Sequence, residues 1–467
     1  MMFDLDKYKD NIAVINDAGR TLTYRNLKDD GDKISSHIEE GRLLFCLCEN
    51  TIGAFVGYIA FLNHSIPSVL LNGIKDCDLL KRMVEIYEPG YIWMPNKRIS
   101  EFDFGEVICS YEDYSLIRLP YKKYKFNPEL LLLLTTSGST GSPKLVRLTE
   151  KNIKSNAESI AEYLNIDEKE RPITSLPMYY SFGMSVINSH IIRGATILLT
   201  EYGVLQRQFW NFFKEQKATS IAGVPYTYEM LKRLRFFRMD LPYLKTMIQA
   251  GGKLNASIAK EYIEDAEQKG RKFIVMYGQT EASPRISYLP FDKAQEKYAS
   301  IGIPIPGGKL SILDANDNEI KEPDTDGELI YEGPNVCLGY AESKDDLRKE
   351  DENHGILHTG DIARKDKDGF FYITGRMKRF VKIWGNRCNL DATEQLVKAI
   401  TTNCACVGVD DKITVFVTEA GLEDNIKNFL SKKMNLNIRA FDVKAIDAIP
   451  TKDSGKIDYM QLQKLLL

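Results

Sequence analysis

Leu130-Leu131-Leu132-Leu133-Leu134-Thr135-Thr136-Ser137-Gly138-Ser139-Thr140-Gly141-Ser142-Pro143-Lys144 joins the purest apolar run of the chain to a string of small hydroxyl and glycine residues closed by a lysine. Five leucines make a buried strand and fall far short of a membrane span. Residues as small as those of 135–142 expose many backbone N–H groups, and with a lysine beside them they can cradle a phosphate. The segment is not the Walker loop, because Gly-Lys-Ser/Thr is missing and Pro143 precedes the lysine. A flexible linker is the plain alternative, but a linker does not follow a strand of leucines. Beyond it, Thr149 with Ile153, Ala157, Ile160 and Leu164 on one face reads as a capped amphipathic helix.

On either side of this segment, strand candidates alternate with helical stretches. Upstream lie RLLFCLC, GYIWM and EVICS, with DLLKRMVEIY as an amphipathic helix; downstream come ATILLT, ATSIAGV, TMIQA and KFIVMY. Alternation of this kind predicts α/β layers and a largely parallel sheet. From about residue 301, short apolar runs separated by Gly, Pro and Asp predict a β-rich subregion. After Lys378 a smaller α+β unit follows, with strands at RFVKIW, CACVGV and ITVFVTEA and helices near LDATEQLVKAI and EDNIKNFLSKKM. The basic segment TGRMKR reads as a linker. The expected division is a large domain over 1–377 and a small one over 378–467.

The 467 residues are 43% apolar with a net charge of −3, which gives no reason to expect a nucleic-acid or anionic-membrane partner. The acidic N-terminus is not a secretory signal. Eight cysteines without a Cys-x-x-Cys pair read as buried free thiols, and with the other features point to a cytoplasmic protein. His354 and His358 have the spacing of a metal pair, but Gly355 weakens a helix there.

Further segments follow in fixed order: LPMYYSFG (176–183), QAGGK (249–253), YGQTEAS (277–283), HTGDIA (358–363), ITGRMKR (373–379) and IPTKDSGKID (449–458). Together with TTSGSTGSPK they resemble the adenylate-forming (AMP-binding) superfamily of acyl-CoA synthetases, firefly luciferase and nonribosomal peptide synthetase adenylation domains. The resemblance covers nearly the whole chain. It implies a mobile C-terminal lid and the joining of a carboxylate to the α-phosphorus of ATP with loss of pyrophosphate. Two anions must meet, so such a site must neutralise charge as well as align the reactants.

By that resemblance, Thr136, Ser137, Gly138, Ser139, Thr140, Gly141 and Lys144 hold the β- and γ-phosphates. Glu281 binds Mg²⁺ and Thr280 meets the α-phosphate. Tyr277 lies against adenine, Gly251 and Gly252 border the adenine and acyl sites, and Asp361 takes both ribose hydroxyls, supported by Arg376. Lys456 is the catalytic lysine. Tyr180 and Gly183, with Gly252, border the acyl pocket, although the Tyr179/Tyr180/Phe182 cluster is equally readable as core. Lys378 matches the hinge, and Gly385 the thiol channel presented once the lid turns. Leu390 replaces the proline usual in that segment.

Tyr180 stands where amino-acid-activating members carry an aspartate, so an α-amino acid is disfavoured. Arg285 reads as a surface residue, the alternative being a contact to a second polar group of the substrate. The acyl acceptor is open: CoA is preferred slightly, while GKID (455–458) resembles the ending of members that load the phosphopantetheine of a separate carrier protein. Two other readings are a stand-alone acyl-AMP former and a degenerate, non-enzymatic nucleotide binder. The second predicts losses at Glu281, Asp361 or Lys456, and all three residues are present.

Overall fold

Runs of β-branched and leucine residues buried on both faces set the first sheet. Leu44–Cys48 and Leu130–Thr135 carry no exposed residue, the pattern of central parallel strands. A computed structural model shows how they assemble. It describes residues 1–73, 77–102, 105–135, 144–377, 379–384, 386–409, 411–434, 436–452 and 456–466. The chain divides into two units, one formed by residues 1–298, 304–309 and 332–357, the other by 299–303, 310–331 and 358–467.

In the first unit, Tyr91–Pro95, Leu44–Cys48, Ser68–Asn72 and Leu130–Thr135 lie side by side and parallel. The antiparallel strands Tyr114–Arg118 and Glu106–Tyr111 extend one edge. On the other edge Leu145–Thr149 turns back antiparallel to Leu130–Thr135, and Gly339–Ala341 pairs with it in turn. The second sheet runs through Ile12–Asn16, Ile197–Leu199, Pro172–Ile173, Ser220–Gly223, Thr246–Gln249 and Lys272–Gly278, all parallel, then Arg285–Tyr288 antiparallel.

The helices Ile52–Asn63 and Ser181–Ile191 are apolar and buried almost all round, as befits helices inside a layered core. One cluster joins their side chains to both sheets, from Val14 and Ile197 on one to Leu44, Leu70 and Leu132 on the other. The helix expected after Thr149 is Glu150–Tyr163. Thr149 caps it by accepting from the Asn152 N–H, and Ile153, Ala157 and Ile160 face the core.

The second unit holds a four-stranded sheet in the order Lys309–Leu313, Gly327–Glu332, Ile356–Lys365, Phe371–Arg376. A hairpin of Phe380–Ile383 and Asn386–Asn389 follows. Cys404–Val409 and Lys412–Val417 then pair antiparallel, with Phe441–Ala445 parallel beside them. Helices Leu390–Val397 and Glu423–Met434 contribute Leu390, Val397, Ile426 and Leu430 to the core of this sheet. The architecture is α/β with a β-rich part and a small α+β C-terminal part, as the alternation of the sequence predicted. All eight cysteines are free, and burial pushes the Cys404 thiol up to about 12. Among the described residues no helix is long and apolar enough to cross a membrane.

Candidate active site

The fold adds a strand that the sequence reading did not name, Leu145–Thr149, between the segment after Leu134 and the helix that Thr149 caps. Thr135 and Leu145 are register partners in an antiparallel pair, so residues 136–144 join two strands. Thr136, Ser137, Gly138, Ser139, Thr140 and Gly141 lie outside the described residues. Lys144, at the end of the connection, is described and half-buried.

Strand geometry decides where Lys144 points. Alternate residues of a strand share a face, and Tyr340 sits opposite Val146. The Lys144 ammonium consequently rests over the Tyr340 ring, 3.7 Å from its centroid. The Tyr340 hydroxyl donates to Glu281 Oε1 at 2.8 Å. Burial and the Glu281 charge push the Tyr340 phenol up, so it stays a donor. One tyrosine thereby links the lysine of the loop to the glutamate of YGQTEAS. Nothing local in the sequence singled Tyr340 out.

The turn that carries Glu281 is clamped from the same side. The Cys337 N–H donates to the Glu281 carbonyl at 2.8 Å, and Asn335 Nδ2 to the Ala282 carbonyl at 2.6 Å. Thr280, on this 3₁₀ turn, meets the Ser181 hydroxyl at 3.2 Å. Ser181 begins the helix after LPMYY. Gly183, in the first turn of that helix, is buried where any Cβ would collide with the Pro177 carbonyl oxygen, so only glycine fits. Tyr180 is half-buried, with its phenol pushed up to about 12 by burial, while Phe182 is fully buried.

Gln249 Nε2 donates to the Gly252 carbonyl at 2.9 Å, shaping the turn in which Gly251 takes a positive φ and Gly252 is exposed. Tyr277 is half-buried, and its hydroxyl accepts from Gln279 Nε2 at 3.2 Å. The first unit therefore brings together Lys144, Glu281 and Thr280 around Tyr340 and Ser181. As to Mg²⁺, Glu281 offers an oriented, half-exposed carboxylate oxygen, the hard donor that cation prefers. No group of three or more His, Cys, Asp or Glu side chains suited to a metal occurs among the described residues.

Arg285 corrects the sequence reading. It is not on the surface: its exposure is 3%, and its guanidinium stacks 4.0 Å from the Phe182 ring centre. Burial lowers its affinity for the proton, although a guanidinium stays charged.

In the second unit, Asp361 and Arg376 are cross-strand partners. Asp361 is buried and Arg376 Nε reaches its Oδ1 at 3.1 Å, so the arginine orients the carboxylate. Lys378 and Gly385 lie outside the described residues. Between them Arg379 is anchored by Asp391 at 2.6 Å and by the Tyr459 ring at 3.6 Å, and Tyr459 donates to Glu394 Oε2 at 3.0 Å. Lys456 is half-buried and its carbonyl accepts from the Lys452 N–H at 2.7 Å, which brings the two arms of 449–458 together. His358 lies 3.3 Å from Glu328 through Nδ1.

The comparison with family models names the class of protein, that of the adenylate-forming, AMP-binding enzymes. The AMP-binding enzyme model matches residues 4–341, and the chain belongs to that family. A long-chain-fatty-acid–CoA ligase of Escherichia coli O6:H1 is 30% identical over 326 residues, covering 68% of this chain and 55% of the relative. The chain thus spans little more than half the length of that relative. Feruloyl-CoA synthase of an Amycolatopsis species is 26% identical over 342 residues, 70% of this chain and 68% of the relative. The fold is that of o-succinylbenzoate CoA synthetase from Bacillus subtilis in complex with its acyl-adenylate intermediate. The TM-score is 0.80 at 21% identity, over 98% of this chain and 97% of that chain.

Proposed function

We propose that this protein is an AMP-forming acid–thiol ligase, which activates a small carboxylic acid with Mg·ATP to an acyl-adenylate and passes the acyl group to a thiol. The linkage of Lys144 to Glu281 through Tyr340 carries the reading, because a nucleotide's phosphates need a cation and a carboxylate-bound metal side by side. The names of the relatives support CoA as the acceptor. The GKID ending favours a separate carrier protein's phosphopantetheine as the second reading.

In this reading Thr136 to Gly141 and Lys144 hold the β- and γ-phosphates, while Thr280 donates to the α-phosphate. Glu281 would hold Mg²⁺, which neutralises phosphate charge when bound. Tyr277 lies on the adenine beside Gly251 and Gly252, and Asp361, steadied by Arg376, accepts from the ribose hydroxyls. Tyr180, Gly183 and Gly252 border the acid. Lys456 meets the charge developing between carboxylate and phosphorus as a point charge on a flexible stem. The lid, residues 378–467, then turns about Lys378 and brings Gly385 to the thiol's path, keeping water from the intermediate.

The test is pyrophosphate release from Mg·ATP over a panel of carboxylic acids, with no thiol, with CoA, and with a phosphopantetheinylated carrier protein. Acid-dependent release that falls about a hundredfold or more in Lys456→Ala supports the reading. Nucleotide binding without release for any acid favours the degenerate binder.

A further inference from the structure

Four arginines are buried among the described residues, and three have conventional partners. Arg98 pairs with Glu101 and donates to the Gly73 carbonyl at 2.7 Å. Arg147 pairs with Glu352 at 2.7 Å and donates to the Leu338 carbonyl. Arg271 donates to the Leu241 carbonyl at 2.8 Å.

Arg285 differs. Among the described residues no carboxylate pairs with it. The groups acting on its charge are the phenols of Tyr163 and Tyr180, and the Tyr163 hydroxyl accepts a hydrogen bond from it. Its Nε is buried with no hydrogen-bond partner among the described residues. Leaving an ionised group buried without a counter-charge is among the most costly arrangements in a protein interior. Apolar residues of similar volume usually fill such a place at no loss. The position of the guanidinium suggests what offsets the cost. It lies over Phe182, whose neighbour Ser181 touches Thr280, so it faces the acyl side of the proposed site.

Arg285 also lines a cavity with Ile160, Leu164, Val186, Ile248 and Met276. Its volume is about 10 Å³, the room of one water, so no long acyl chain has space behind Arg285. We propose that the acid activated here is a short dicarboxylic acid, whose second carboxylate is held by Arg285. The proposal rests on the ligase reading for the reaction, and for the specificity on a buried guanidinium that no carboxylate among the described residues pairs with. Planar donors suit a carboxylate held at two oxygens, a match that lysine does not reproduce.

The test compares α,ω-diacids of three to eight carbons and the phthalate isomers with their monomethyl esters, in wild type, Arg285→Met and Arg285→Lys. Two readouts are taken: thermal stabilisation by each acid, and kcat/KM for pyrophosphate release. In the wild type, at least one diacid stabilises the fold and is used about a hundredfold better than its ester, since a buried donor rejects an analogue that cannot accept from it. Arg285→Met brings that ratio close to one, and Arg285→Lys recovers part of it. Preferential use of monoesters, or a ratio unchanged in Arg285→Met, overturns the proposal and leaves the ligase reading standing. Diacid stabilisation lost in Arg285→Met, with no pyrophosphate from any acid, supports the anion site and sinks the ligase reading. The absence of both stabilisation and turnover with every diacid overturns the proposal.

Discussion

Replacing Tyr340 with phenylalanine removes one hydroxyl and leaves the ring beneath Lys144 in place. The lost group donates to Glu281 at 2.8 Å. A hydrogen bond to a charged group contributes about 1.5–3 kcal/mol. Glu281 is half-exposed, so water offsets part of the loss, and the lower end of that range applies. A loss of about 1.4 kcal/mol in the transition state lowers kcat/KM for Mg·ATP about tenfold. Tyr340→Leu also forfeits the cation–π contact, about 0.5–1 kcal/mol at a partly exposed site, for a further loss of two- to fivefold. The assay is the initial rate of pyrophosphate release at subsaturating Mg·ATP, with thermal melts to establish that the variants are folded. Rates within twofold of wild type for both variants would refute the idea that Tyr340 organises the phosphate end.

Two further outcomes concern stability. His190 is fully buried, with Nδ1 2.7 Å from the Val186 carbonyl, and burial lowers its pKa to about 4. The unfolded chain takes up a proton near pH 6.5. Its neutral form therefore favours the fold above that pH, and this contribution is lost as pH falls from about 6.5 to 4, by up to about 3 kcal/mol. Denaturant melts should show the stability gap between wild type and His190→Gln narrowing over that interval; a constant gap counts against it. In the C-terminal part, Arg379→Met strips Asp391 of its 2.6 Å partner. Burial raises the Asp391 pKa, but the pair is only partly buried, so the loss of its charged partner should cost about 1.5–3 kcal/mol. Restoration of stability by the double substitution Arg379→Met/Asp391→Leu checks the cause, and an unaltered melt for the single variant contradicts it.

Much of the site was readable because its residues sit in local segments whose order is preserved. Glu281, Asp361 and Lys456 each lie inside a run of several residues that resembles a family motif, so no long-range contact was needed to propose them. What escaped depends on pairings over large separations. The strand Leu145–Thr149 is hidden in LVRLT by Arg147, which reads as polar although it is wholly buried. Its partners, Leu338 and Glu352, lie some two hundred residues on. Tyr340 was invisible for the same reason, since its roles come from Val146 opposite and Glu281 across the turn. Arg285 was misjudged because arginine is usually exposed. Only the fold shows it covered by Phe182 and hydrogen-bonded to Tyr163. The strand Phe441–Ala445 gave too short and polar a signal in AFDVKAI to stand out without Lys412–Val417 beside it.

The measurement that bears most directly on acyl-adenylate formation is the fate of carboxylate oxygen. An acid labelled with ¹⁸O in its carboxylate is incubated with the protein, Mg·ATP and CoA, and the nucleotide product is examined by mass spectrometry. Attack of the carboxylate on the α-phosphorus followed by thiolysis places one ¹⁸O in AMP, the label expected if an acyl-adenylate forms. Unlabelled AMP, or ADP and phosphate in its place, would contradict it.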